Sequence, residues 1–184
     1  DETPNVKTFR VEIPEGKKID FFPGQFFMVR FEDNHKLQRA YSIASLPTQK
    51  DYMEITVELV GEFTKKLFKS KVDDYLIFKG PFGKAHFTED ITNDLILISG
   101  GCGISASMCI IRYFTTKKLQ NKINLIYSAR TPMDIIYKNE FDKLKKENKN
   151  FQYTITMTRP KPEHNWQGCT GRIDTNLLKQ NIDN

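Results

Sequence analysis

Hydrophobic residues follow two different rhythms along this chain, and the change falls near residue 90. In the first part apolar and polar positions alternate: Phe9, Val11 and Ile13, then Phe27, Val29 and Phe31, then the longer run Met53, Ile55, Val57 and Leu59. A period of two belongs to a strand with one buried face. Pro14-Glu15-Gly16, Pro23-Gly24, and Pro81 between Gly80 and Gly83 interrupt these runs as turns. Several short strands punctuated in this way predict a small antiparallel barrel. The aromatic stretch Phe21 to Phe27 is read as part of its core, and the polar segment Thr88 to Asn93 as the end of the first domain.

From Asp94 the pattern changes. Leu95-Ile96-Leu97-Ile98 is an unbroken apolar run, as expected of a strand buried on both faces of a parallel sheet. It leads at once into Ser99-Gly100-Gly101-Cys102-Gly103 and an apolar helical stretch to about Leu119. Ile123 to Tyr127 reads as the next buried strand. Asp134 to about Asn148 reads as an amphipathic helix with Ile135, Ile136, Phe141 and Leu144 on its apolar side, and Phe151 to Met157 as a third strand. Strand, helix, strand, helix, strand predicts a doubly wound parallel α/β unit with ligands at the carboxyl ends of its strands. The expected organisation is thus an antiparallel β-barrel over residues 1–90 followed by a doubly wound parallel α/β domain over residues 91–184.

Composition narrows the function classes. Residues 1–90 hold 14 Lys and Arg against 15 Asp and Glu, whereas residues 91–184 hold 14 against 8, a net of −1 followed by +6. The second half therefore favours an anionic ligand or partner. Much of that excess is the run Lys143, Lys145, Lys146 and Lys149, which reads as a solvated helix face, and no nucleic-acid motif accompanies it. Cys102, Cys109 and Cys169 are widely spaced and form no C-x-x-C, and His35, His86 and His164 are scattered, so neither a disulfide framework nor a metal is expected. No apolar run reaches the roughly 20 residues of a membrane span, and no targeting segment is visible, which suggests a cytoplasmic protein.

Two stretches carry candidate chemistry in the first half. Arg39-Ala40-Tyr41-Ser42-Ile43-Ala44-Ser45 combines a cation, a phenol and hydroxyls, a mixture suited to a flat conjugated ligand that also bears phosphate, such as a flavin. It reads equally as a strand with a polar edge. If extended, it puts Arg39, Tyr41, Ile43 and Ser45 on one side and Ser42 on the other, unless the backbone bends. In Gly61 to Leu67, Thr64 can cap a short helix whose free amides attract an anion, or simply close a turn. In the second half, strand, glycine turn and helix at Gly100 to Gly103 form an arrangement that aims amides at a pyrophosphate, although the G-x-G-x-x-G order is lacking.

With these motifs in order from about Asn5 to Ile173, the chain resembles the ferredoxin-NADP reductase-like flavin oxidoreductases. Arg39, Tyr41, Ser42 and Ser45 match that family's R-x-Y-S-x-x-S. The resemblance implies that Arg39 contacts flavin phosphate, that Tyr41 lies against the isoalloxazine, and that Ser42 approaches the reactive N5 as the one catalytic candidate, with Ile43 and Ser45 in the same cofactor segment. Gly61 and Thr64 match the family's G-x-x-S/T beside the flavin phosphates, although the preceding strand reads Val57-Glu58 where relatives commonly have V-K. Glu58 either changes the charge beside the flavin or points to solvent. Gly80-Pro81-Phe82-Gly83 with Phe87 resembles the closing loop of the barrel, with Phe87 taken as core.

In the second half, Gly100-Gly101-Cys102-Gly103-Ile104 matches the family's dinucleotide turn, in which Gly101 and Gly103 admit NAD(P); Ala106 stands where relatives carry Pro. Ser128 and Arg130 resemble its nicotinamide or adenosine contacts. Thr158-Arg159, followed by Trp166-Gln167-Gly168-Cys169-Thr170-Gly171-Arg172-Ile173, resembles its T-R and W-x-G-x-x-G-R pattern. Arg130, Arg159 and Arg172 can meet a 2′-phosphate or serve as ordinary surface arginines; the first reading favours NADPH over NADH as donor.

The implied function is an FAD-dependent NAD(P)H oxidoreductase, with FAD more expected than FMN, that passes electrons to a redox protein such as ferredoxin or flavodoxin. An alternative is an electron-transfer flavin subunit that docks on a partner subunit, as in dihydroorotate oxidation, although three cysteines cannot supply the four thiolates of that group's iron-sulfur cluster. A third possibility is a nucleotide-binding module without chemistry. The family's final strand and C-G-P segment do not occur in these 184 residues, so the chain is expected to be either part of a longer protein or a shortened member.

Overall fold

The computed structural model describes residues 1–182. The alternating runs of the first half become antiparallel strands. β1 (Val6–Glu12) pairs with β4 (Tyr52–Glu58), and β2 (Phe26–Phe31) lies between β3 (Gln38–Ser42) and β5 (Leu76–Phe82). An isolated bridge between Ile43 and Ile55 links the two sheets. Together they surround one core of Phe27, Val29, Phe31, Ile43, Met53, Ile55 and Val57, closed at one end by Phe63 and Leu67 of helix α1 (Glu62–Phe68). Burial of every second residue gives these strands one inward face each.

The stretch Phe21 to Phe27 is only partly core. Phe21 and Phe27 are buried, but Phe22 is 49% exposed and stacks on His86 with ring centroids 5.0 Å apart. The turn at Pro23-Gly24 explains this, because it lets the two flanking phenylalanines point inward while Phe22 lies outside. Gly24 is at φ 98, and a Cβ there would stand 2.9 Å from the Ala85 carbonyl oxygen.

The second half is a parallel sheet in the order β6 (Leu95–Gly100), β7 (Ile123–Ala129), β8 (Phe151–Met157), β9 (Cys169–Thr170). Helix α2 (Ile104–Lys117) follows β6 after a single tight turn, Gly101–Gly103. Helix α3 (Lys138–Glu147) precedes β8, and α4 (Thr175–Ile182) lies across β7 and β8, where the Asn181 carboxamide oxygen accepts a 2.6 Å hydrogen bond from Thr154 Oγ1. None of the helices among the described residues is long and apolar enough to cross a membrane.

The structure corrects two expectations in this half. β6 is not buried on both faces: Leu95 and Leu97 face the core, whereas Ile96 and Ile98 are 42% and 55% exposed. β6 is an edge strand that pairs only with β7 among the described residues, so its apolar run reflects the strand's composition and not two covered faces. The helix expected from Asp134 begins four residues later. Asp134 Oδ2 accepts bonds from the Thr131 amide (3.0 Å) and hydroxyl (2.6 Å), closing a short turn instead of opening the helix. Tyr137 then adopts φ 59, a left-handed conformation that interrupts any helix through it.

The two cores are not separate. Cys109 of α2 packs into the barrel core, while Val6 and Ala44 from the first half pack with Met108, Ile111 and Phe114 of α2 and with the sheet. Helix α2 is therefore buried on nearly every side, the setting in which an apolar helix gains most from burial. The uneven fate of the phenylalanines yields a direct test. Phe27→Ala should lower unfolding stability by about 3–5 kcal/mol, and Phe22→Ala by under about 1 kcal/mol, as read by urea denaturation. Equal losses would contradict the inward and outward placement.

Candidate functional site

The segment Arg39 to Ser45 changes character halfway. β3 ends at Ser42, and the chain then turns inward, because Ile43 bridges Ile55 and the Ala44 amide donates to the Glu54 carbonyl at 2.8 Å. Arg39 is exposed and donates only to the Gln38 carbonyl (2.8 Å) among the described residues. Tyr41 is half-buried against Phe63, with ring centroids 5.8 Å apart. Ser42 is half-buried, and its hydroxyl makes no hydrogen bond with the described residues.

Ile43 is fully buried in the barrel core, and Ser45 Oγ accepts the Glu54 amide at 3.0 Å. Tyr41 packs against the same core as Ile43, as a period of two expects, while Arg39 at the start of the row is exposed. Both side chains at 43 and 45 serve the fold.

Of the two readings of Thr64, a cap offered to an anion or the closing of a turn, its contacts fit the second. Gly61 is the N-cap of α1 and Thr64 the third helical residue. The buried Thr64 hydroxyl accepts the Val60 and Gly61 amides, each at 2.9 Å, and donates to the Gly61 carbonyl at 3.1 Å. It shapes the turn and is unavailable to a ligand. The opening amides of the helix, which have no acceptor within it, are what this turn can present.

The glycine turn comes close to Tyr41, whose phenol feels the Cys102 thiol. Gly101 is at φ 51, a conformation that suits glycine, and a Cβ at Gly61, Gly101 or Gly103 would meet no protein atom within 4 Å. These glycines face open space. Gly168 is the opposite case, since a Cβ there would stand 2.6 Å from the Trp166 ring, which explains the W-x-G spacing by packing alone.

Cys102 lies beside both Tyr41 and Glu58. Burial pushes its thiol up to about 11, with the Glu58 charge adding and Arg130 opposing. Burial likewise raises the Tyr41 phenol to about 12, against the pull of Arg39 and with a contribution from Cys102. Arg130 forms an ion pair with Glu58 at 3.5 Å across the two halves. Of the two expectations for Glu58, flavin side or solvent, neither describes its main contact, which is this pairing.

The remaining candidates lie at the carboxyl ends of the parallel strands. The Arg159 amide donates to the Arg130 carbonyl (2.8 Å) and the Thr158 amide to the Ala129 carbonyl (2.9 Å), so Ser128, Arg130, Thr158 and Arg159 sit side by side. Arg172 follows β9, held near by the Gly171 amide on the Met157 carbonyl at 2.8 Å. Arg159 and Arg172 are exposed and form no ion pair among the described residues. Ser128, Arg130, Thr158 and Arg159 thus lie at neighbouring strand ends, Arg130 reaches Glu58 across the halves, and Cys102 of the glycine turn lies beside Tyr41. These residue types suit a flavin and a dinucleotide: an exposed arginine, a half-exposed ring, bare glycine backbone in two turns, and cationic strand ends.

Comparison with known proteins agrees with this division. Residues 1–87 match the model of the oxidoreductase FAD-binding domain, and residues 97–184 that of the oxidoreductase NAD-binding domain. Between them the two models take in almost the whole chain, and the chain belongs to the ferredoxin-NADP reductase-like family that joins these two domains. Among curated relatives, one subunit of the Na(+)-translocating NADH-quinone reductase of Moritella marina is 28% identical over 98% of this chain, and the corresponding subunit from Shewanella putrefaciens 29% over 97%. The chain spans 63% and 62% of those relatives' own lengths.

Two solved structures are similar over 99% of the chain. The cytochrome b5 reductase domain of Ulva prolifera nitrate reductase superposes with a TM-score of 0.88 at 19% identity, over 78% of that chain. A ferredoxin NADP+ reductase from Neisseria gonorrhoeae, with bound FAD and NADP, gives 0.81 at 25% identity over 73% of its length.

The Cys102 thiol beside Tyr41 and Glu58 gives a pH test. Its pKa is raised, so the reactive thiolate is scarce at neutral pH. Alkylation of Cys102 by iodoacetamide at pH 8 should run roughly a hundredfold slower than that of an ordinary exposed cysteine and accelerate as the pH approaches about 11, followed by mass spectrometry of its peptide. Rapid labelling at pH 8 would contradict the burial that raises it.

Proposed function

We propose that this protein is an FAD-dependent reductase that takes hydride from NADH and hands electrons to a partner subunit or redox protein. The observation that carries this reading is the proximity of Tyr41, next to Ser42 on β3 of one domain, to Cys102 in the Gly101–Gly103 turn of the other. FAD, when bound, supplies the hydride-accepting and electron-releasing chemistry. The chain's residues supply position. Arg39 offers a planar fork for a phosphate, Tyr41 a ring face, and the half-buried Ser42 hydroxyl a donor to the flavin ring. The glycine turns bring bare amides to phosphates, and Ser128 and Thr158 line the strand ends where a dinucleotide reaches toward the flavin.

Two observations favour NADH over NADPH. Arg130, one of the three arginines suited to a 2′-phosphate, is engaged by Glu58, whose carboxylate disfavours a further anion nearby. The relatives are NADH-quinone reductase subunits, which also supports a role for this chain inside a larger electron-transfer assembly.

Anaerobic mixing of the flavin-loaded protein with NADH should bleach the oxidised flavin absorbance at least about tenfold faster than NADPH does, the discrimination that about 1.4 kcal/mol of differential binding provides. Faster bleaching by NADPH would reverse the donor assignment, and bleaching by neither would refute the reductase reading. Arg39→Ala should weaken FAD binding about ten- to hundredfold, the loss expected for a charge-assisted contact. Unchanged flavin occupancy after gel filtration would remove Arg39 from the site.

A further inference from the structure

Arg112 lies two turns into helix α2 and lines a separate pocket with Ser45, Glu54 and Glu140 rather than with Tyr41 or the glycine turn. Its side chain is only 17% exposed, and its guanidinium is almost fully committed. Nε and Nη2 donate to the two oxygens of Glu140 on α3, at 2.7 and 2.6 Å. Nη1 donates to the Ala44 carbonyl at 2.8 Å and to Glu54 Oε2 on β4 at 3.3 Å. The ring of Tyr137 lies 5.1 Å from its Cζ. Burial works against the charge, but the Glu140 hydrogen bonds and charge, joined by Tyr137 and Glu54, outweigh it and raise the pKa, so the group stays cationic.

The neighbouring contacts join the same elements. Cys109, one turn earlier on α2, donates its thiol to the Ser45 carbonyl at 3.1 Å. The Tyr137 hydroxyl pairs with Thr56 Oγ1, and the Tyr137 amide donates to Glu2 Oε2 at 3.1 Å, which holds that residue in its left-handed conformation. Ala44 lies two residues past Ser42, and α2 begins at the glycine turn. Arg112 is eight residues from Ile104, about 12 Å along the helix axis. One guanidinium therefore ties the segment that carries Tyr41 and Ser42 to the helix that carries the dinucleotide turn.

We infer that Arg112, with Glu140, is a positioning residue for hydride transfer, fixing the separation and angle between the flavin-holding segment and the dinucleotide-holding turn. This role rests on the reductase reading. Reacting centres held in two domains lose rate steeply when misplaced, with a shift of about 1 Å able to cost about a hundredfold. Among the described residues, both bond Ala44, Glu54 or each other and none of the candidate flavin or dinucleotide residues, so their loss should separate rate from binding. Lysine at position 112 keeps the charge but lacks the fork that spans Glu140, Ala44 and Glu54 together.

The test compares the parent with Arg112→Lys and Glu140→Gln as flavin-loaded proteins. Arg112→Lys is expected to keep FAD and NADH dissociation constants within about twofold, while the rate of flavin bleaching at saturating NADH falls about ten- to hundredfold and Glu140→Gln gives an intermediate loss. Hydrogen exchange measured on the flavin-free proteins supplies a readout independent of activity: amides of residues 44–56 and 104–117 should exchange faster in both variants, with the sheet interior at 123–127 unchanged. Bleaching of both variants at the parental rate overturns the proposal, as does a rate loss that only follows lost FAD or NADH binding, or unchanged exchange at the interface. If Arg112→Lys fails to fold, Glu140→Gln decides alone by the same criteria. If the parent itself is bleached by neither NADH nor NADPH, the reductase reading falls and the positioning role with it, an outcome distinct from a parent that bleaches beside variants that match it.

Discussion

Helix α2 is the element on which the two halves depend. It leaves β6 through a glycine turn, sends Cys109 into the barrel core and packs Met108, Ile111 and Phe114 against the parallel sheet. A helix covered on both sides has no solvated face to spend on charge, and the one arginine near its middle is accordingly paired on every available side. Removing α2 from either core would open the other. The relation between the domains follows from hydrophobic burial first and is then given direction by the guanidinium fork.

That relation brings the candidate residues of the two halves close together. Tyr41 and Ser42 sit on the last residues of β3 before the chain dives into the core, while Gly101 to Gly103 sit on the first residues before α2 is buried. Ligand-facing groups thus lie where each element leaves the packed interior, with the backbone behind them held by Ile43, Ser45 and Ile104. Charge is distributed to match: cationic strand ends at Arg159 and Arg172 remain uncommitted, Glu58 engages Arg130, and burial keeps the Cys102 thiol neutral near pH 7.

Much of this is legible in the chain itself. Alternation at Phe27, Val29 and Phe31 and at Met53, Ile55 and Val57 marks strands whose inward faces these residues occupy. The apolar strand, glycine turn and helix at residues 95–117 mark a nucleotide-type turn, and Arg39, Tyr41 and Ser42 mark the candidate flavin segment. Local pattern misleads where the chain departs from a regular repeat. A period of two puts Tyr41 and Ile43 on one core but does not foretell that Ser45 is buried against the Glu54 amide. Thr64 has the chemistry of a cap but bonds backward from the third helical position, and Ile136 and Tyr137 fit a helix that a left-handed residue delays. The delay at Tyr137 involves a contact distant in sequence, with Glu2, whereas Thr64 makes a local choice between cap and turn.

The sequence by itself determined the element types, their order, the change from an antiparallel to a parallel half, and the residues able to hold phosphate and ring. Those properties arise from hydrophobic period, turn chemistry and side-chain donors, all of which are local. Tertiary structure alone decided which candidates stay accessible and which are consumed by the fold, that Glu58 meets Arg130, and that Arg112 joins Ala44, Glu54 and Glu140. These partners are separated by 28 to 72 positions along the chain, and only the burial of α2 between two cores brings them within hydrogen-bonding or ion-pairing reach.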